Sequence, residues 1–429
     1  MRWLIVEDAL RDRKGHWFEY ITTLCDGLRA LGDEVAVLAD RRAEPFILKR
    51  VGAMPILPES VWHRMNRQTP AVMRYWRVPA HALSTWRVMS KYLARQERAD
   101  LIFVPTATVH HLLGWSLLLG RLLRKTNSRL LLFFINLPVR VDPASGRAYW
   151  INSPTTKLLA RMLHRMAPAI RSGRVVLGAE PEPMRSALAE LTGLPVVYLP
   201  QPVPPVTLEP AAQAETGKDL LLACYGAARA EKGSDCLQLS IRQYLREFPS
   251  SRARFAIQWV ADFEGSNGQA VVKDPKLLAS HRVEYITRFF NNGEYPQWLG
   301  RTSALLLPYR LSSYRLRGSR VALEGMVRGI PLLVTAGTSF ASQMKRFGAG
   351  ITCMDGDVAS LVSAIRELEL RFEELKRLAE ARKEMARQHF SVEAFRRMLV
   401  EFEPSRAGVQ ALACLEATGT AQKGLPAKA

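Results

Sequence analysis

The chain has 429 residues, enough for about two domains of ~100–200 residues, each able to bury a core of its own. Apolar residues make up 48% and charged residues 23%, a globular balance that excludes a largely disordered or fibrous chain. Lys and Arg number 60 against 40 Asp and Glu, and the net charge of +20 points to an acidic partner: nucleic acid, anionic lipid or a phosphorylated substrate.

Residues 3–6 read as a buried strand. The loop 7–16 follows, with Gly15 and His16 at its end, and Phe18, Ile21, Leu24, Leu28 and Leu31 then mark an amphipathic helix. Residues 34–39 are a second strand, so the chain opens with a βαβ unit of Rossmann type but without a G-x-G-x-x-G fingerprint. Gly15 beside His16 is, by itself, what a tight turn with an exposed histidine would also show. Residues 41–99 interleave Trp62, Trp76 and Trp86 with Arg64, Arg67, Arg74, Arg77 and Arg87, and predict a helix over 80–97. Two readings stand level: a helix lying on a membrane interface, or ordinary packing with tryptophan inside and arginine outside. Stacking on nucleic acid ranks below both.

Residues 100–104 are a strand leading to His110 and His111, which open a helix over 112–124. That is the end of an α/β sheet where ligands bind. Adjacent residues do not share a helix face, so at most one histidine faces a site, and His110 is favoured. No acidic or cysteine partner stands nearby to suggest a metal. A strand over 129–135, a loop over 136–153 carrying Arg140, Asp142 and Arg147, a basic helix over 158–166, a strand over 175–178, a helix over 181–191 and a strand over 196–199 complete the first half. Five prolines between positions 200 and 210 predict a linker.

The pattern then restarts. Residues 219–224 are a strand, and 225–233 (YGAARAEKG) are a small-residue loop that carries Gly226, Arg229 and Lys232 into a helix start at Ser234. Strands over 254–260 and 283–286 and a short helix over 295–301 come next. Residues 304–339 organise this half: a strand over 304–307, a loop with Arg310, Arg315, Arg317 and Arg320, a helix capped by Ser319, and a strand over 332–335. A helix start already carries partial positive charge, so converging arginines there call for an anion, and phosphate is the standard one. Glu324, one turn after Arg320, is either a surface ion pair at helical spacing or a carboxylate for sugar or ribose hydroxyls. A helix over 339–347, a strand over 350–353, a helix over 358–369 with its continuation, and a last amphipathic helix over 390–402 follow. Residues 403–429 lack periodicity and are expected to be disordered.

The five cysteines are Cys25, Cys224, Cys236, Cys353 and Cys414, with no C-x-x-C pair; the first three sit in apolar stretches, and the usage fits a reducing cytosol. No apolar run is long enough to span a bilayer, and residues 2–6 read as a strand rather than a signal peptide.

Over residues 1–402 the sequence resembles the GT-B glycosyltransferases, most closely the retaining family-4-like enzymes. Residues 225–233 look like the family's G-x-R…K-G phosphate loop, and 307–335 like its P-S…E…G-x-P-V-V region. The resemblance implies an α/β chain of two Rossmann-like domains facing across a cleft. They would be an acceptor domain over 1–200, a linker over 201–210, a nucleotide-sugar domain over 211–389, and a final helix over 390–402 returning to the first domain. It places Arg229 and Lys232 on the donor diphosphate, with Gly226, Arg317, Gly318, Ser319 and Arg320 around the nucleotide. Glu324 would sit on the ribose, His110 at the sugar, and Gly15 and His16 on the acceptor side. Leu316 stands where the family often has the first glutamate of a pair.

The implied reaction is retaining, metal-independent transfer of a hexosyl group from a UDP- or GDP-linked sugar. The implied acceptor is a cell-envelope saccharide or lipid-linked saccharide at the cytoplasmic membrane face. A catalytically silent scaffold that binds an anionic partner or membrane surface is the alternative, and nucleic acid is the least supported partner.

Overall fold

Short apolar runs alternating with amphipathic stretches produce two parallel sheets, one in each half of the chain. The computed structural model describes residues 1–13, 17–60, 71–95, 99–142, 144–205, 219–265, 268–290 and 293–404. Gly15, His16, Trp62, Arg64, Arg67 and Cys414, with most of the expected linker and tail, lie outside the described residues. The strands in chain order are β1 (Arg2–Glu7), β2 (Glu34–Asp40), β3 (Ala53–Leu57), β4 (Leu101–Val104), β5 (Arg129–Phe134), β6 (Val139–Val141), β7 (Ala148–Trp150), β8 (Val175–Ala179) and β9 (Val196–Tyr198). The second half adds β10 (Leu220–Cys224), β11 (Ala253–Gln258), β12 (Phe263–Glu264), β13 (Ala270–Val271), β14 (Val283–Ile286), β15 (Ala304–Leu307), β16 (Leu332–Thr335) and β17 (Gly350–Cys353).

The chain forms two compact units: Met1–Pro204 together with the described residues from Val392 onward, and Pro205–Ser391. In the first, the sheet order is β3-β2-β1-β4-β5-β8-β9 with every pair parallel. Strands such as LIFV of β4 are buried on both faces, which is why they read as unbroken apolar runs. The helix Val392–Val400 packs into this core, with the Phe395 ring 5.6 Å from Phe103 and 6.4 Å from Trp3. Arg396 donates to both carboxylate oxygens of Asp33 at 2.6 and 3.0 Å, and the N-terminal ammonium and the Trp3 indole N–H donate to the same side chain.

In the second unit the order is β14-β11-β10-β15-β16-β17, again all parallel. Counted from β10, that is the 3-2-1-4-5-6 order of a doubly wound sheet. In both units the strand order reverses beside the first strand, at β1/β4 and at β10/β15. Ligands of such sheets bind outside the carboxyl ends of the strands at that point.

Several elements differ from the sequence-based expectation. The helix expected over 80–97 is Ala71–Arg95 and carries Pro79 in its interior, a position that periodicity reasoning treats as a start. The histidine helix is Val109–Lys125, which puts His110 and His111 inside its first turn. The loop over 136–153 contains the antiparallel pair β6/β7. The arginine loop after β15 holds a short helix, Leu311–Tyr314, fixed by Tyr309 and Tyr314 packing at 4.6 Å between ring centroids. The helix Arg320–Arg328 is buried on all sides from Arg320 to Val327 rather than on one apolar face.

Candidate functional site

The loop after β10 and the loop after β15 meet at the switch point of the second unit. Gly226 follows β10 with φ +81°, and its N–H donates to Gln258 Oε1 at 2.6 Å. A short 3-10 turn, Ala230–Lys232, then delivers the chain to Gly233, whose φ of +64° favours glycine and whose Cβ would overlap the Pro308 carbonyl oxygen. The Arg310 N–H donates to the Glu231 carbonyl at 2.9 Å, tying the two loops together. Ser234 opens the helix Ser234–Glu247, and its Oγ accepts from the Arg229 N–H at 3.1 Å.

Lys232 lies across this junction. Its ammonium packs onto Gly226, where any Cβ would overlap it, and sits 5.7 Å from the centroid of the buried Tyr309 ring. Burial holds its pKa below the ordinary lysine value, with Arg229 and Arg317 acting in the same direction. Among the described residues no carboxylate stands within ion-pair distance of it.

The arginines behave otherwise. Arg229 is 61% exposed and lies 3.7 Å from Glu231 Oε1. Arg317 donates to Glu231 Oε2 at 3.0 Å, and Arg310 pairs with Asp235 at 2.8 Å. Glu231 and Asp235, which local sequence reading did not pair with these arginines, supply part of the countercharge within the protein.

Arg320 and Glu324 form an ion pair at 3.0 Å whose side chains are 3% and 5% exposed, and the Tyr295 hydroxyl donates to the other Glu324 oxygen at 2.6 Å. This is a buried pair rather than the surface pair that the spacing allowed. It holds the Arg320 Nε along its own helix. Ser319 caps that helix, accepting from the Ala322 N–H at 3.3 Å, and Arg317 and Gly318 are half-buried just before it. Leu316 is half-buried as well.

The first unit's switch point carries a different cluster. Asp8, just after β1, accepts from two imidazoles: His81 Nε2 at 2.7 Å and His111 Nε2 at 3.0 Å from the same Oδ2. Thr106, after β4, donates to Glu7 Oε2 at 2.7 Å, and the Ala9 N–H donates to the other oxygen. Burial first, and the Asp8 charge second, push the Glu7 carboxyl up to about 7. Asp8 is also penalised by burial, but His111 and His81 outweigh that and hold its pKa below the usual carboxylate range.

His111, not His110, enters this cluster; His110 packs edge-to-face on His81 at 5.9 Å. The acidic partner of these histidines is Asp8, far away in sequence. Glu7 and Asp8 at a strand's carboxyl end were a visible signal, whereas nothing local in the sequence marks His81 or Tyr295.

Trp76 is 74% exposed and Trp86 37%, while Trp115 is buried. Among the described residues, no helix is long and apolar enough to cross a membrane. Cys25, Cys224, Cys236 and Cys353 are buried free thiols.

No family model matches the chain, and no curated protein matches it in sequence. Its structure is similar to a glycosyltransferase from Rickettsia africae, with TM-score 0.62 at 12% identity over 96% of this chain and 99% of that one. It is similar to sucrose-phosphate synthase from Thermosynechococcus elongatus, with TM-score 0.58 at 14% identity over 98% and 100%. It is also similar to Anabaena HepE in complex with UDP-glucose, with TM-score 0.56 at 12% identity over 94% and 98%. Identities this low speak to architecture alone, and on that ground the chain has the α/β GT-B fold with two parallel Rossmann-like sheets.

Proposed function

We propose that the protein is a glycosyltransferase that takes a nucleotide diphosphate sugar as donor and seats its diphosphate on the loop 226–234. The observation that carries this reading is Lys232: a largely desolvated ammonium, at a switch point, beside a helix start, with no carboxylate of its own among the described residues. Holding a charge there is costly unless an anion answers it. A diphosphate supplies that anion and also takes up the first N–H groups of the helix Ser234–Glu247.

As the sugar–phosphate bond breaks, negative charge grows on the departing diphosphate. Lys232 and those N–H groups stabilise it where it forms. Arg229 and Arg317 are held on Glu231, so a bound phosphate would compete with that carboxylate for them. Their share is accordingly smaller than that of Lys232. Glu324 holds Arg320 on one oxygen and Tyr295 on the other, and a ribose hydroxyl would share the carboxylate with them. Retention of configuration, independence of metal, and the contact of His110 with the sugar rest on the family resemblance. The UDP-glucose carried by the HepE structure supports the donor class.

The exposed Trp76 and Trp86 on a helix that also carries Arg77, Arg87, Lys91 and Arg95 support a lipid-linked acceptor at an anionic membrane surface. Co-sedimentation with anionic liposomes tests that part, and a wholly soluble result counts against it. For the donor, calorimetry with UDP, GDP and their sugars in a chelator decides. Micromolar binding of at least one is expected, and silence toward all of them sinks the reading. Leu316, in the position of an expected glutamate, favours a second reading in which a nucleotide is bound but no sugar is transferred. Donor hydrolysis assays separate the two.

A further inference from the structure

We propose that Asp8, His81 and His111 form a binding site for a divalent first-row transition ion, with Zn2+ as the reference ion. One carboxylate oxygen and two imidazole nitrogens lie within 4.8 Å of one another, and all three residues are buried. The exposures of the side chains are 5% for Asp8, 1% for His81 and 7% for His111. They come from three separate elements: the end of β1, the helix Ala71–Arg95, and the first turn of the helix Val109–Lys125.

The loading of the carboxylate is lopsided. Asp8 Oδ2 faces both imidazoles, at 2.7 and 3.0 Å, while Oδ1 is buried and has no hydrogen-bond partner. A carboxylate that merely satisfied two donors would gain by giving one to each oxygen. Three donor atoms turned toward one centre, with the fourth left bare, is what ligands around an ion look like. Tetrahedral zinc with ordinary bond lengths separates its ligand atoms by about 3.3 Å, so the two Asp8 contacts open by a few tenths of an ångström and the imidazole nitrogens, within 4.8 Å of one another, adjust to the same spacing to admit it.

The outer contact at His111 fits as well, while His81 Nδ1 is buried without a hydrogen-bond partner. An ion on His111 Nε2 requires the ring proton on Nδ1, and Thr108 Oγ1 stands 2.9 Å from that nitrogen, ready to accept it. The Thr108 backbone N–H, 3.2 Å from the same nitrogen, fits the metal-free tautomer instead. Two imidazoles and one carboxylate suit Zn2+, Co2+ or Fe2+ and are a poor set for Mg2+ or Ca2+, which prefer oxygen ligands. Three protein ligands leave a fourth position for water. The ion would fasten two helices to the end of β1. The inference stands apart from the donor reading, because its test uses no nucleotide.

Untagged full-length protein, stripped with a chelator, is titrated with Co2+ and then Zn2+. The expected result is one equivalent of Co2+ with the visible absorption of a low-coordinate site, displaced by Zn2+, and a higher Tm in Zn2+. H81Q and D8N are each expected to weaken binding by more than the ~10–100-fold typical of an outer-shell change, with H164Q as an unaffected control. Equal binding in an H81Q/H111Q variant overturns the proposal, and so does a wild-type protein that takes up no Co2+. Should the variants not fold, X-ray absorption on the wild-type Zn2+ form decides: two imidazole ligands uphold the site, and their absence ends it.

Discussion

At the β10/β15 switch point the loops bring Lys232, Arg229, Arg310 and Arg317 together, with Glu231 and Asp235 as partial countercharge. At the β1/β4 switch point the corresponding loops bring Glu7 and Asp8 against two histidines. The same strand order therefore delivers two clusters of opposite character to equivalent places. Topology fixes where a site forms, and the few side chains after the strands fix what it attracts. Within the cationic cluster a second contrast matters more. Arg310, Arg317 and Arg320 are each spent on a carboxylate, and Lys232 is not.

The largest test of that contrast is the buried pair. Glu324→Ala removes the carboxylate paired with the buried Arg320 and should cost about 3–5 kcal/mol of stability, read by urea denaturation. A loss below about 1 kcal/mol would mean that the pair is open and available to a ligand after all. Lys232→Met should do the reverse. Stability should hold or rise, while affinity for UDP or GDP falls roughly 10- to 100-fold, the worth of one charge-assisted contact. Unchanged affinity would clear Lys232 of the role.

Asp33 serves as a reference away from both switch points. Burial works to raise its pKa, but hydrogen bonds from Arg396, the N-terminus and Trp3 outweigh it and hold it at about 2. A carboxyl depressed on folding contributes stability that is complete above its unfolded value of ~3.9 and lost as pH falls toward its folded value. Asp33→Asn should therefore cost about 2 kcal/mol at neutral pH and flatten acid unfolding in that window, with nucleotide binding untouched. A coupled loss of nucleotide affinity would break the separation between structural and ligand-facing charge. Arg229→Ala should have the smallest effect, a few-fold in affinity at most, because its guanidinium is mostly in water and shared with Glu231. A hundredfold loss would move Arg229 to the centre of the site.

Much of the architecture was legible from local pattern. The runs ALLL and LLVT became β15 and β16 at the expected residues, because strands covered on both faces are apolar almost throughout, and GITC became the edge strand β17 with Thr352 exposed. Ser319 and Gly329 bounded their helix as caps do. The helix expected to start at residue 80 begins at Ala71 and runs through Pro79, where a proline is ordinarily costly.

Side-chain partnerships were a different matter. The sequence by itself determined two Rossmann-like halves, the loops that end their strands, and a cationic loop around Lys232, all of which depend on spacings of a few residues. Only the tertiary structure decided that Glu231 answers Arg317, that Tyr295 holds Glu324, and that Asp8 meets His81 and His111. These contacts join residues 29 to 103 positions apart, and no local periodicity encodes which distant charge will be buried beside which.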